Sequence, residues 1–241
     1  MSARDPAIRR SLARAQAYSL LARAFGRPDA AFEAEVRDGR FGSALGDSLT
    51  ALGCRELSTA GLDGGEAPLA GDFQRLFNPS VDGNCPPYET EYTGAHVFMR
   101  QQQLADVAGF YRAFGLRVAG SFHERPDHIA AELEFLAVVS LKEAQALARG
   151  ERAHVRVCRR ARARFLEEHL GRWLAPYAKQ LAALAGDGFY PRAVALARDL
   201  VAWEAAEAGV KPQAVALRRA TRAEPEELAC PTPGGETNVR S

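Results

Sequence analysis

Several shortages in this sequence each exclude something. Only three of its thirty-one basic residues are lysine (Lys142, Lys179 and Lys211), and the net charge over 241 residues is +1. There is no basic surplus of the kind that drives wholesale nucleic-acid or anionic-membrane binding. The four cysteines, Cys54, Cys85, Cys158 and Cys230, lie far apart, with no CxxC or zinc-ligand spacing. Free thiols in a reducing compartment are therefore expected rather than a disulfide scaffold. No apolar run approaches the ~18 residues of a membrane span, so stable membrane insertion is not expected. Alternating apolar residues bounded by hairpin turns are missing, which leaves a sheet without support. Phosphate-cradling GxxxxGK[ST], dinucleotide-binding GxGxxG, the GxSxG elbow and HExxH are all missing too.

What is present is helical. Apolar residues make up 47% and charged residues 25%, as in a soluble globular protein able to bury a large core. Asp5-Pro6 is a helix opening, followed by one face carrying Ile8, Leu12, Ala15, Tyr18, Ala22 and Phe25, with Arg9, Arg10, Arg14 and Arg23 off it. Ile8-Arg9-Arg10-Ser11-Leu12 looks like an export signal, but the longest following uncharged run, Ala15 to Ala22, ends at Arg23. The expectation is a cytoplasmic protein. Further helices are predicted after Pro28-Asp29, over Phe41 to Leu52, Leu69 to Phe77, Thr93 to Phe114, from Asp127 to about Arg149, over Arg149 to Leu170, Trp173 to Leu184 and Tyr190 to Ala208. Gly53 to Pro68 and the proline-rich Asn78 to Tyr92 are predicted as long loops, the second extended and stiff. The predicted architecture is all-α: a single-domain bundle of about eight to ten helices over residues 1–209, with residues 210–241 a flexible tail.

Chemistry concentrates in Glu124-Arg125-Pro126-Asp127-His128-Ile129-Ala130-Ala131-Glu132. From Asp82 to Glu134 there are eight acids against four arginines. His128 and Glu132, one turn apart, could ligate a metal but suit a local pair better, and no nucleophile or cofactor motif stands beside them. No catalytic residue, cofactor or metal is therefore assigned. Recognition is the better reading. Carboxylates clamp guanidinium forks, while Tyr88, Tyr92 and Phe135 could take an apolar stretch. The row Arg152, Arg156, Arg160 and Arg164 is read as a solvated face.

Glu124-x-Pro126-Asp127-His128-Ile129 running into Glu132-Leu133-x-Phe135 resembles the signature of the TorD-like redox-enzyme maturation chaperones. Asp72-Phe73-x-x-Leu76-Phe77, then Pro87-Tyr88-Glu89-Thr90-x-Tyr92, is similar to the companion motif. The resemblance implies a cytoplasmic chaperone without a cofactor. It would bind the twin-arginine signal peptide and apo catalytic subunit of a molybdopterin enzyme of the dimethyl-sulfoxide-reductase type, and delay export until the cofactor is inserted. The PYET-x-Y form looks closest to chaperones serving dimethylsulfide, ethylbenzene, chlorate or selenate oxidoreductases. A peptide-binding role is thereby implied for Tyr88, Glu89, Tyr92, Glu124, Pro126, Asp127 and His128, with Glu132 added from the same helix start. A monomer or homodimer fits, and nucleic acid is not an expected partner. The alternative is a small helical enzyme or a ligand- or metal-binding regulator using the His128–Glu132 region.

Overall fold

The computed structural model of the protein describes residues 5–63, 68–77, 85–93, 97–117 and 125–215. Helix α1 (Pro6–Ala24) starts where its chemistry directs: the Asp5 carboxylate accepts from the Ala7 N–H at 2.8 Å, and proline fills the first turn. Asp29 caps α2 (Ala30–Arg37) in the same way, through the Phe32 N–H at 2.7 Å. α3 (Arg40–Leu52) and α4 (Leu69–Phe77) follow. The single turn α5 (Glu89–Tyr92) precedes α6 (Val97–Ala113). α7 (Ile129–Arg149) ends at Gly150, whose φ of 74° is the left-handed stop that glycine favours. α8 (Arg152–Phe165) passes through a π-helical turn at Leu166–Leu170 into α9 (Gly171–Ala185), and α10 (Phe189–Ala208) closes the bundle. No strand occurs among the described residues, so the protein is all-α as expected.

α7 is the central element. It packs along α1 and α8, while α3 lies on α1 and α10 on α9. Ile129, Leu133, Leu136, Ser140 and Ala144 are all buried, as their spacing predicts. Aromatic rings fill the layer between α6, α7 and α8: Phe110, Tyr111 and Phe114 meet Phe135, and Phe135 meets Phe165 at 4.6 Å between centroids.

Four expectations need correction. Arg14 is not on a solvated face of α1: it is 5% exposed, whereas Leu12, placed on the buried stripe, is 41% exposed. An ion pair supplies the reason, since Arg14 Nε reaches both oxygens of Glu204 at 2.7–2.8 Å. Glu89–Tyr92, expected as extended loop, forms a helical turn. α7 begins at Ile129 rather than Asp127, because His128 caps it. The helix expected to end at Leu170 runs on through the π turn into α9. Gly171 is required at that junction: a Cβ there would lie 2.3 Å from the Leu166 carbonyl oxygen and 2.6 Å from the Pro212 ring. Of the expected tail, residues 210–215 run beside α9, with the Val215 N–H donating to the Arg172 carbonyl at 3.0 Å. Residues 216–241, with Cys230, lie outside the described residues. The thiols of Cys54, Cys85 and Cys158 are free and buried, and burial pushes Cys54 up to about 12 and Cys85 to about 11.

Charge is also built into the core. Glu143 accepts from Arg159 at 2.7 Å and from Arg162, and Arg162 lies 3.3 Å from Glu204. Burial alone would raise the Glu143 carboxyl, but Arg162, Arg159 and Arg14 together hold it below its ordinary value. A cavity of about 590 Å³ opens beside this cluster, between α1, α8 and the end of α10. Removing one member of a buried ion network strands its partners in a poorly solvated place. Glu204→Ala is therefore expected to cost about 3–5 kcal/mol. Arg10→Ala, whose pair with Glu207 is half-exposed, should change stability by about 1 kcal/mol or less. Urea denaturation of the two variants checks the contrast.

Candidate functional site

Two distant segments meet at the start of α7. The Ile129 N–H donates to the Pro87 carbonyl at 2.9 Å, and the Glu89 N–H to the Asp127 carbonyl at 2.9 Å. Tyr88 and His128 thus form a one-residue antiparallel bridge. Proline at 86 and 87 keeps the first segment extended up to the bridge, and the chain then turns at once into α5. The Asp127 side chain, fully buried, locks the junction. It accepts from the Thr90 N–H at 3.1 Å and the Thr90 hydroxyl at 2.8 Å. Arg125 donates to both carboxylate oxygens, from Nε at 3.0 Å and from an η nitrogen at 2.8 Å.

Arg125, itself partly exposed, has several partners. One η nitrogen also reaches the Thr90 hydroxyl at 2.7 Å, the other reaches Glu91 at 3.1 Å, and the guanidinium lies 4.3 Å from the centre of the Tyr88 ring. Carboxylate fork, hydroxyl, second carboxylate and aromatic face make a complete guanidinium cradle. Hydrogen bonding to Asp127 foremost, with Glu91 adding, raises the Arg125 pKa despite partial burial. Arg100 approaches the Glu91 carboxylate at 3.3 Å.

Behind this surface the polar groups are buried. His128 Nδ1 accepts from the Ala130 N–H at 3.1 Å, capping α7, and its ring meets Tyr88 edge-on at 5.1 Å. Glu89, 1% exposed, meets His169 Nδ1 at 3.1 Å. Tyr92 stacks on Trp173 at 5.5 Å, with its hydroxyl 3.3 Å from Cys85 Sγ. Tyr111 donates to the Pro126 carbonyl at 2.7 Å, fixing the turn before Asp127. Glu132 is fully buried and accepts from Trp173 Nε1 at 3.2 Å; its other oxygen has no hydrogen-bond partner among the described residues. Burial, then the charge of Glu89, pushes the Glu132 carboxyl well above its ordinary value, and the Trp173 bond only partly opposes this.

Of the residues singled out in the sequence, Tyr88 and Pro126 are half-exposed, while Glu89, Tyr92, Asp127, His128 and Glu132 are buried. All seven sit around the bridge. Glu124 lies outside the described residues. Arg125, Thr90, Trp173 and His169 were not singled out, yet they hold the buried acids. Thr90 sits inside the PYET motif and was legible as a hydroxyl beside two acids. Arg125 occupies a position that the motif leaves open, and no local signal marks His169 or Trp173.

Residues 44–179 match the profile of the nitrate reductase delta subunit family, a span that includes both segments of the bridge. The chain is 33% identical over 205 residues to a perchlorate reductase assembly chaperone protein of Dechloromonas aromatica, covering 80% of this chain and 89% of that protein. It is 30% identical over 131 residues to a chaperone protein TorD of Vibrio cholerae, covering 54% and 57%. It is 32% identical over 154 residues to a dimethyl sulfide dehydrogenase assembly chaperone protein of Rhodovulum sulfidophilum, covering 61% of each.

The raised Glu132 pKa has a consequence of fixed sign. A carboxyl whose folded value lies above its unfolded one binds more protons in the native state, so stability falls as pH climbs above the unfolded value near 4.5. Glu132→Gln replaces the protonated acid with a neutral amide that can still accept from Trp173. The loss of stability between pH 5 and pH 8 is therefore expected to be smaller in Glu132→Gln than in the parent. Denaturation midpoints at both pH values measure it, and equal slopes for the two proteins would contradict the assignment.

Proposed function

Since the chain belongs to the nitrate reductase delta subunit family of TorD-like assembly chaperones, we propose that it chaperones the apo catalytic subunit of a molybdopterin oxidoreductase. It holds that subunit in the cytoplasm through the twin-arginine signal peptide until the cofactor is in place. Its work is binding rather than catalysis. The relatives named for perchlorate reductase and dimethyl sulfide dehydrogenase favour a client of that group. No helix among the described residues is long and apolar enough to cross a membrane, which is compatible with a protein that meets its client before export.

The observation that carries the peptide reading is the guanidinium cradle. Tyr88, Thr90, Glu91 and Asp127 together satisfy one arginine, which here is Arg125 of the same chain. A signal-peptide arginine needs the same groups, so it competes with Arg125 for them. Glu91 and the Tyr88 ring, which stand at the surface, are the first contacts; Asp127 is reached only when Arg125 gives way. Glu89, His128, Tyr92 and Glu132 support the cradle from behind. Glu124, next to Arg125 in sequence, belongs to the proposed set by its motif position. The alternative, an enzyme or metal-binding regulator at His128 and Glu132, is not favoured. One His128 nitrogen serves the cap, and the Glu132 carboxyl is buried against Trp173.

Calorimetry with a synthetic twin-arginine peptide tests this. Glu91→Gln is expected to weaken binding about tenfold, the loss of one charge-assisted contact. Arg125→Ala should strengthen binding severalfold by vacating the cradle. Lysines in place of the peptide's arginine pair should bind more weakly, since a point charge does not fill a planar, forked site. Affinity should also fall with added salt. If Glu91→Gln, Arg125→Ala and the lysine peptide all bind as the parent pair does, the cradle is not the peptide site.

A further inference from the structure

We propose a divalent-metal site of the zinc type beside the bridge, formed by His169, Asp106 and Glu168. It is independent of the peptide reading.

His169 lies in the π-helical turn between α8 and α9 and is 3% exposed. Turns of this kind, which insert an extra residue into a helix, recur at functional positions. Nδ1 faces the buried Glu89 carboxylate at 3.1 Å. A histidine that donates Nδ1–H to a carboxylate presents an unprotonated, more basic Nε2, the arrangement found behind most metal-bound imidazoles. Here Nε2 is buried and makes no hydrogen bond among the described residues. Asp106 Oδ2 stands 3.4 Å from it. That separation is long for a hydrogen bond but matches two donors on one ion. With metal–ligand bonds of about 2.0–2.2 Å, tetrahedral donors lie about 3.4 Å apart. Glu168 offers a third donor, and the ligand atoms of the three residues all fall within 4.8 Å of one another.

One imidazole and two carboxylates make a borderline-hard set, suited to zinc rather than to a thiolate-seeking ion. Three protein ligands leave a position for water. The Asp106 side chain is 61% exposed, so the ion has a way in. Arg164 is the internal competitor: it holds the Glu168 carboxylate at 2.8–3.0 Å. An ion bound here ties α6 to the α8–α9 rod and fixes the Glu89 carboxylate that backs Tyr88.

Zinc titrated calorimetrically into the metal-free full chain is expected to bind one equivalent and raise the melting temperature. Asp106→Asn, a change at an exposed side chain, and His169→Gln should each weaken binding at least about tenfold. Glu89→Gln should weaken it about 10–100-fold through the imidazole. Arg164→Ala should strengthen it by releasing Glu168. His154→Ala, which removes an exposed histidine paired with Glu151, should leave the single equivalent in place. No saturable binding, or an equivalent that survives both Asp106→Asn and His169→Gln or is lost in His154→Ala, overturns the site.

Discussion

Asp127 carries a carboxylate to a position with no solvent access, and an unpaired charge there would cost several kcal/mol. The donors that make the burial tolerable come from both sides of the bridge: Thr90 from one segment, Arg125 from the other. The two segments are 37 residues apart in sequence at this contact. Their meeting is therefore a condition of the fold rather than a loose apposition of loops. Without α5 beside it, Asp127 loses two of its four hydrogen bonds. Without Asp127, Thr90 and Arg125 lose a shared acceptor, and the extended stretch from Pro86 loses its reason to stop there.

The three acids behind the surface have three different kinds of partner. Asp127 takes a guanidinium, Glu89 faces an imidazole, and Glu132, among the described residues, meets only an indole N–H. An indole N–H donates one bond and carries no charge. Burial therefore makes Glu132 hold its proton more tightly than an exposed carboxyl does, and the neighbouring charge of Glu89 pushes the same way. A helix N-terminus ordinarily favours an anion, so the start of α7 should attract carboxylates; here desolvation outweighs that attraction. The same balance resolves differently at Glu143, where arginines from α1 and α8 outweigh burial and the carboxyl stays ionised. The number of guanidinium partners in reach separates the two outcomes.

Much of the fold was legible because helix periodicity and caps are local signals. Asp5-Pro6, Asp29 and the terminal glycines each mark boundaries through their own chemistry. The α4 range, Leu69–Phe77, was legible at both ends. Buried ion pairs were not legible. Periodicity assigned Arg14 to water because it cannot see Glu204, 190 residues away. The site was half legible. Residue types gathered at Pro87–Tyr92 and Glu124–Glu132 showed that acids and aromatics belong together there. They did not show which side faces solvent, because that depends on α9 bringing Trp173 behind the bridge. The sequence pattern also suggested acids waiting for arginines from outside, whereas Asp127 is already served by an arginine two positions before it.

That internal arginine changes how the proposed binding must work. A carboxylate cradle left open would attract any arginine-rich segment and would hold each one long. On the proposed reading, a peptide must displace Arg125, so the competent state is only a fraction of the population and apparent affinity is reduced by that fraction. A lone arginine gains little, since it exchanges one guanidinium for another. A ligand prevails only if it adds contacts that Arg125 lacks, such as a second arginine at Glu91 or an apolar stretch near Tyr88. Discrimination then rests on the difference between ligand and internal occupant rather than on the strength of the cradle. It also favours release, because Arg125 is tethered beside the site and returns as soon as a ligand contact opens. For a chaperone that must later surrender its client, a strong cradle already occupied from within serves both selectivity and turnover.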